Sequence, residues 1–269
     1  MTSVKKLRLD IGPSTLDGVR FGTGPDILVM LPGLSLKGVW EAAFPLAWMY
    51  RVFAKDYTVY VFDRRAFVPA GCTIRDLAED IVRAMEQLGL SQADVLGVSQ
   101  GGMIAQELAI RRPDLVRKLV LAVTASRPNE AMERALGRWM ELARREDWAA
   151  LTVDMMERTY SAPYVKKYRW LFPLLSRMGK PRDPGRFLAL AQACLTCNSY
   201  PELDKISCPV LVLGGEQDQV LTGRASAEIA ERLGCEAYLY EGLGHAAYDE
   251  APDFNRRVLA FLRRDTLVS

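Results

Sequence analysis

The pentapeptide GVSQG at residues 97–101 constrains the fold more than any other part of the chain. It matches the pattern G-x-S-x-G and lies between a predicted strand and a predicted helix. A short apolar run before it predicts a buried strand, and the pattern of residues 100–112 predicts a helix after it. Where a strand turns directly into a helix, the positions two before and two after Ser99 have no room for side chains, and Gly97 and Gly101 meet that requirement. The segment therefore predicts a strained turn that lifts the Ser99 hydroxyl clear of a sheet.

Other short runs rich in Val, Ile and Leu predict further strands, and such runs are typical of a parallel sheet covered on both faces. Residues 5–11 and 16–21 instead predict an antiparallel hairpin at the edge of the sheet. Helical patterns lie between the runs; Thr73–Leu88 opens on a suitable N-cap, has Asp76 at the third helical position and is followed by Gly89 as a stop. The alternation predicts an α/β fold with a mostly parallel, doubly wound sheet and an antiparallel N-terminal edge. The predicted buried strands are 27–31, 58–62, 95–98, 118–123 and 210–213, and a further strand is predicted at 237–240.

Residues 127–200 interrupt this alternation, because they contain no clear strand and follow helical patterns divided by prolines. We interpret them as a helical lid inserted between two strands of a core formed by residues 1–126 and 201–269. Some of the aromatic and methionine side chains of the lid are expected to line a mainly apolar pocket, and most to pack the lid onto the core. These side chains are Trp139, Trp148, Met155, Met156, Tyr160, Tyr164, Trp170 and Phe172.

Composition and charge exclude several classes of partner. The chain carries 35 Lys and Arg against 33 Asp and Glu, a net charge of +2, without the basic stripe of a nucleic-acid-binding protein. No apolar run reaches the ~18 residues of a membrane-spanning helix. No apolar segment follows Lys5 and Lys6, so a signal peptide is not predicted either. The five cysteines are an odd number, which argues against a disulfide framework and favours a cytoplasmic location.

The chain has a single histidine, His245, and this narrows the possible chemistry. A metal site built on the pair Cys194 and Cys197 would need further ligands, so none is predicted. A serine hydroxyl is a poor nucleophile without a neighbouring base. Because His245 follows a predicted strand and precedes the last helix, it lies where a base for Ser99 is expected. We therefore predict Ser99 as the nucleophile and His245 as the general base.

Such a base needs a carboxylate that fixes its tautomer and stabilises the imidazolium. Asp218 is the preferred candidate, since it lies in the loop after the predicted strand 210–213, at the same end of the sheet as Ser99. The chain order Ser, Asp, His is that of one large group of hydrolases. The rival carboxylates are Glu216, Asp204 and Asp249.

Acyl transfer to a serine also needs two backbone N–H groups that receive the developing oxyanion. One is expected from Gln100, directly after the nucleophile. The other is expected from Leu34, in the loop LPGLSLKG that follows the strand 27–31.

These features resemble the α/β-hydrolase superfamily, in particular its bacterial esterases, lipases and C–C hydrolases. The resemblance extends over LVMLPGL, VYVFDRR, GVSQGG, IAQELAIRRPDLVRKLVLAVT, GGEQD and the ending GLGH with Glu250 and Pro252 downstream. It implies an α/β-hydrolase fold with an inserted helical lid. It also implies hydrolysis through an acyl-enzyme without a cofactor.

The sequence departs from the family pattern at two places beside the expected site. Pro32-Gly33 stands where members of the family usually have His-Gly, which is expected to change the shape of the oxyanion loop without abolishing activity. The motif D-x-R-G-x-G-x-S is reduced to Asp63-Arg64-Arg65, followed by Ala66-Phe67-Val68-Pro69. The altered loop argues against transferring a substrate from any one subfamily.

The sequence thus predicts a serine hydrolase that cleaves a small- to medium-sized carboxylic ester, thioester or lactone. An acyltransferase or a C–C bond hydrolase with the same three residues is an alternative, because the difference lies in what reaches the acyl-enzyme. A non-catalytic protein that binds a ligand under the lid is an alternative of another class. The expected partner is a small ester-like molecule.

Overall fold

The described part of the chain forms eight strands, which lie in one sheet in the order β1-β2-β4-β3-β5-β6-β7-β8. The structure is a computed structural model and describes residues 3–12, 14–177 and 180–264. β1, β2 and β4 pair antiparallel, and all other neighbours pair parallel. The predicted α/β-hydrolase architecture, a mostly parallel sheet with an antiparallel N-terminal edge, is confirmed. The strands are β1 (Lys5–Asp10), β2 (Thr15–Phe21), β3 (Asp26–Leu31), β4 (Tyr57–Arg65), β5 (Ala93–Val98), β6 (Val116–Ala122), β7 (Val210–Gly215) and β8 (Glu236–Tyr240).

Helices cover both faces of the sheet. Successive residues of a strand point to opposite sides, so a strand that is apolar throughout needs helices on both faces. In β6, Leu119 and Leu121 belong to the core under α2, α3 and α9, whereas Val120 belongs to the core under α1 and α11. The central strands are therefore apolar on both faces. The helices are α1 (Ala43–Met49), α2 (Ile74–Gln87), α3 (Gln100–Arg111), α4 (Glu130–Arg144), α5 (Trp148–Thr159), α6 (Ala162–Tyr168), α7 (Phe172–Arg177), α8 (Pro184–Cys194), α9 (Gly223–Leu233), α10 (Ala247–Glu250) and α11 (Phe254–Leu262).

The start of α2 follows from its sequence. The Thr73 hydroxyl accepts a hydrogen bond from the Asp76 N–H at 3.2 Å, and the Asp76 carboxylate accepts one from the Thr73 N–H at 2.8 Å. This reciprocal capping box satisfies two N–H groups that a helix start leaves free. The predicted N-cap is confirmed, and Gly89 follows the helix with the positive φ of 64° that ends helices.

The predicted strand 58–62 is too short at its carboxyl end. β4 continues to Arg65, because the antiparallel neighbour β2 still pairs Leu16 with Arg65. Asp63, Arg64 and Arg65, which were expected in a loop, are therefore part of a strand. Their side chains alternate between the two faces of the sheet, so Arg64 and Arg65 contact different parts of the protein.

Between β6 and β7, the described residues form helices α4–α8 and no strand, as expected for the segment 127–200. Its division into a separate lid remains a prediction. Trp139 and Trp148 are buried in the core, whereas the Trp170 side chain is 75% exposed. In the described part of the chain, none of the helices has both the length and the apolar character needed to cross a bilayer.

Candidate active site

The turn between β5 and α3 holds Ser99 in a strained backbone conformation, with φ 53° and ψ −119°. Its backbone is fixed from two sides: the Ser99 N–H donates to the Ala122 carbonyl at 2.9 Å, and the Thr124 hydroxyl donates to the Ser99 carbonyl at 2.7 Å. A non-glycine residue at positive φ costs about 1–3 kcal/mol and persists only where its surroundings enforce it. The backbone of the turn is therefore strained, and this strained conformation positions the Ser99 hydroxyl.

The two glycines of the turn are required by close backbone approaches. A Cβ atom at Gly97 would lie 2.6 Å from the Gly101 carbonyl oxygen, and one at Gly101 would lie 1.8 Å from the Leu31 carbonyl oxygen. No side chain fits at either distance. The sequence argument that these positions must lack side chains therefore agrees with the structure, which also shows that α3 begins directly against the end of β3.

His245 lies in the loop between β8 and α10, with its ring against the serine. Its Nε2 is 2.9 Å from the Ser99 Oγ, and the side chain is buried. The backbone of this loop is tied to the helical segment, because the Ala246 N–H donates to the Thr159 carbonyl at 2.8 Å. The single imidazole of the chain is thus in hydrogen-bonding contact with the single serine of the strained turn.

Asp218 lies in the loop after β7, and its Oδ2 is 2.7 Å from His245 Nδ1. The other carboxylate oxygen, Oδ1, accepts hydrogen bonds from the N–H groups of Val220 at 2.7 Å and Leu221 at 2.9 Å. Burial by itself raises the pKa of Asp218, whereas His245 and these two N–H groups lower it, and the lowering prevails. The carboxylate therefore stays ionised at neutral pH beside the imidazole.

The three rival carboxylates do not contact His245. Glu216 and Asp204 are exposed, and the Asp249 carboxylate accepts a hydrogen bond from the Tyr160 hydroxyl at 2.8 Å. The structure thus brings Ser99, His245 and Asp218 into one line of hydrogen bonds, from three loops at the carboxyl ends of β5, β8 and β7.

The loop after β3 lies against the serine. A Cβ atom at Gly33 would be 3.8 Å from the Ser99 Oγ, so the absence of a side chain there leaves room beside the hydroxyl. The N–H groups of Leu34 and Gln100 donate to none of the described residues. The Gln100 N–H also stands at the start of α3, where the helix dipole favours negative charge.

The side chain of Gln100 and the guanidinium of Arg64 were not identified from the sequence. Arg64 Nε donates to Gln100 Oε1 at 3.1 Å, and Arg64 Nη2 donates to the Pro32 carbonyl. Gln100 Nε2 in turn donates to the Leu190 carbonyl of α8 at 2.7 Å. These contacts link the loop after β3, the residue after Ser99 and the helical segment. The only sequence signal was the pair of arginines at the end of a buried strand.

A cavity of about 130 Å³ is bounded by Gly33 and Gln100, and a second cavity of about 240 Å³ shares part of its lining. Both are lined by Lys37, Asp63, Arg64 and Arg186. None of the eight aromatic and methionine residues singled out in the segment 127–200 lines either cavity. The expectation that some of these side chains line the pocket is wrong for these two cavities, because the buried members of the set pack in the core, and β4 and the start of α8 supply charged groups to the lining.

Within the described ranges, no group of three or more His, Cys, Asp or Glu side chains is arranged to hold a metal ion. The Cys194 and Cys197 thiols are buried, and burial raises the pKa of Cys194 to about 11. Cys194 Sγ accepts a hydrogen bond from Gln100 Nε2 at 3.1 Å. This thiol therefore acts as a packing and hydrogen-bonding group of α8.

A serine on a strained strand–helix turn, in contact with a histidine and a carboxylate from later loops of a mostly parallel sheet, defines a recognised class of fold. The alpha/beta hydrolase fold family matches residues 26–252, and the chain belongs to that family.

The relatives that this chain matches include proteins named as hydrolases. The 3-oxoadipate enol-lactonase 2 of Acinetobacter baylyi is 26% identical over 218 residues, which cover 79% of this chain and 81% of that protein. The solved enol-lactonase of Burkholderia xenovorans has a TM-score of 0.83 at 22% identity, over 96% of this chain and 100% of the other. MGS-M2, an alpha/beta hydrolase enzyme from a Medee basin deep-sea metagenome, has a TM-score of 0.84 at 21% identity, over 98% and 99% of the two chains. The two solved structures support the fold, and the curated relative supports a hydrolase.

Proposed function

We propose that the protein is a serine hydrolase that cleaves a small- to medium-sized carboxylic ester, thioester or lactone through an acyl-enzyme on Ser99. The observation that carries the proposal is the continuous line of hydrogen bonds from Ser99 Oγ to His245 at 2.9 Å and from His245 to Asp218 at 2.7 Å. The name of the Acinetobacter baylyi relative, an enol-lactonase, supports the inclusion of lactones among the candidate substrates.

In the proposed mechanism, His245 Nε2 takes the proton of the Ser99 hydroxyl while the oxygen attacks the carbonyl carbon. Asp218 holds the Nδ1–H of the imidazole, which fixes the tautomer that leaves Nε2 free to accept. The ionised carboxylate then stabilises the imidazolium that forms. The imidazolium returns its proton to the leaving oxygen or sulfur, and this completes the acyl-enzyme.

The N–H groups of Leu34 and Gln100 receive the negative charge that develops on the carbonyl oxygen. Each such donor contributes roughly 10²–10³-fold to turnover in enzymes of this kind. Water activated by His245 then attacks the acyl-enzyme and releases the acid. The strained φ of 53° at Ser99 keeps the hydroxyl in place for both steps, because the turn cannot relax without breaking its contacts to Ala122 and Thr124.

The test is turnover of p-nitrophenyl esters from acetate to palmitate by the wild type, by Ser99→Ala and by Ser91→Ala, a matched change of an exposed serine. We expect chain-length-dependent turnover that Ser99→Ala abolishes and Ser91→Ala leaves unchanged. A fluorophosphonate should label the wild type and Ser91→Ala, but not Ser99→Ala. If the wild type turns over no ester and takes up no label, the hydrolase proposal fails and a ligand-binding role replaces it.

A further inference from the structure

Arg64 is a buried cation without a carboxylate partner. Its exposed fraction is 4%, and the two hydrogen bonds described above go to neutral acceptors, Gln100 Oε1 and the Pro32 carbonyl. No carboxylate of the described residues forms an ion pair with it. A buried charge that lacks a counter-ion is costly, since the hydration of the ion is lost on burial.

Arg65, the next residue of the same strand, has the carboxylate partner that Arg64 lacks within the described ranges. Arg65 forms a two-point ion pair with the buried Asp80, with Nε–Oδ2 2.5 Å and Nη2–Oδ1 2.6 Å. Because strand residues alternate in direction, Arg65 faces this internal partner while Arg64 faces the cavities.

The carboxylate nearest to Arg64 in sequence is already occupied. Asp63 Oδ1 accepts from Arg186 Nη2 at 2.9 Å and from the Arg64 backbone N–H at 2.7 Å, and Asp63 Oδ2 accepts from the Val39 N–H at 3.0 Å. Burial lowers the pKa of Arg64 to about 10, against a raising contribution from Asp63, so the guanidinium remains protonated at neutral pH.

The cavity of about 130 Å³ has a positive lining. Its charged side chains are Lys37, Arg64, Arg186 and Asp63, three cations against one carboxylate, which gives a net charge of +2. The only carboxylate among them is paired with Arg186, and Lys37 is exposed without an ion pair to any described residue. The same cavity is bounded by Gly33, where a Cβ atom would be 3.8 Å from the Ser99 Oγ, and by Gln100, the residue directly after Ser99.

The free edge of Arg64 suits a planar anion. Nε and Nη2 donate on one side of the guanidinium, and Nη1 has no partner among the described residues. A guanidinium with a free edge matches the two oxygens of a carboxylate.

We propose that Arg64 binds a carboxylate of the substrate, so that the substrate class is an anionic ester or lactone with a carboxylate a few bonds from the carbonyl that Ser99 attacks. The inference rests on the proposed function and narrows it. The exposed Lys37 at the cavity attracts such a substrate, and the buried Arg64 holds it beside the oxyanion loop.

The kinetic test compares matched esters that differ in one charge. Mono-p-nitrophenyl adipate is paired with p-nitrophenyl hexanoate for a carboxylate on the acyl side, and m-acetoxybenzoate with phenyl acetate for one on the alcohol side. For at least one pair, we expect Arg64→Gln to lower the anionic-to-neutral ratio of kcat/KM by about 10- to 100-fold, mainly through KM. Arg64→Lys should retain part of the preference.

Arg182→Gln is the matched control, because Arg182 is 88% exposed at the larger cavity and already paired with Glu41 at 2.8 Å. Its ratio should stay within about twofold of the wild type, since exposed ion pairs are screened. If Arg64→Gln and Arg182→Gln both leave the ratio unchanged for both pairs, Arg64 only supports the Pro32 loop, and the proposal is overturned.

A binding measurement separates this proposal from the proposed hydrolysis and does not require Arg64→Gln to fold. By titration calorimetry, the Ser99→Ala protein should bind adipate at least tenfold more tightly than adipamide, and added NaCl should weaken only the adipate. This result would support the carboxylate site even if no ester is turned over. Equal affinity for the two compounds would overturn it even in an active hydrolase.

Discussion

Two regions meet at the candidate site, and they are held in place in different ways. The loop rim, residues 32–35, 99–101, 216–222 and 241–246, is fixed by backbone hydrogen bonds and by glycines packed directly on other backbone atoms. The helical segment, residues 127–200, reaches the site through the Arg186 side chain, through the Leu190 carbonyl that accepts from Gln100, and through the Thr159 carbonyl. The loop rim therefore tolerates almost no change in shape, whereas the helical segment depends on individual polar contacts.

The largest effect is expected from Asp218→Asn in the loop rim. The Asn carbonyl can still accept from Val220 and Leu221, so the loop should keep its shape. Its NH₂ group, however, would face His245 Nδ1 and favour the tautomer that cannot accept the Ser99 proton. On the pattern of other serine hydrolases, kcat should fall about 10⁴-fold. Steady-state ester hydrolysis measures this, with circular dichroism to check the fold; a loss below tenfold would contradict the assigned role of Asp218.

Among the substitutions that add a single methyl group, Gly101→Ala should destabilise the protein most. Its Cβ would lie 1.8 Å from the Leu31 carbonyl oxygen, and overpacking against backbone cannot be relieved by side-chain rotation. We expect the free energy of unfolding to fall by about 3 kcal/mol or more in urea titrations.

The control for this change lies in the helical segment. A Cβ at Gly137, within α4, would meet nothing within 4 Å. Gly137→Ala should therefore stabilise the protein by about 0.5–1 kcal/mol through the lower chain entropy of alanine. If both substitutions change the free energy of unfolding equally, the loop rim and the helical segment do not differ in their tolerance of added side chains.

A smaller loss is expected where the helical segment meets α10, which follows the loop rim. Glu250 accepts hydrogen bonds from the Ser161 N–H at 2.9 Å and the Ser161 hydroxyl at 2.6 Å, at the start of α6. Glu250→Ala should cost about 1–2 kcal/mol of unfolding free energy, because hydrogen bonds to a partly buried carboxylate are lost. Glu250→Gln keeps one acceptor and should cost less than half as much, and a reversed order in urea titrations would contradict this account.

The smallest effect is expected from acid pH. The folded pKa of Asp218 lies below its unfolded value of about 3.9, so its ionised form stabilises the protein above that value. This stability is lost as the pH falls through the folded pKa. Urea titrations between about pH 6 and pH 3 should show a steeper decline for the wild type than for Asp218→Asn. If the free energy of unfolding declines equally in both proteins, Asp218 does not contribute to the loss of stability in acid.

The sequence predicted the loop rim better than the helical segment, and the reason is physical. The strained turn, the absence of side chains at Gly97 and Gly101 and the strand–helix alternation are local requirements, which a few adjacent residues record. The contacts of Arg64 with Pro32 and Gln100 join residues that are distant in the chain, so no short pattern records them. The end of β4 depended on its pairing with β2 for the same reason.

Gln100 serves both regions at once. Its backbone N–H stands beside Ser99 at the start of α3, while its side chain joins Arg64 to the Leu190 carbonyl of α8. The helical segment is therefore not an interchangeable module. In a chimera that carries this segment from a relative, a displaced α8 would shift the residue next to Ser99, so we expect turnover as well as substrate preference to change.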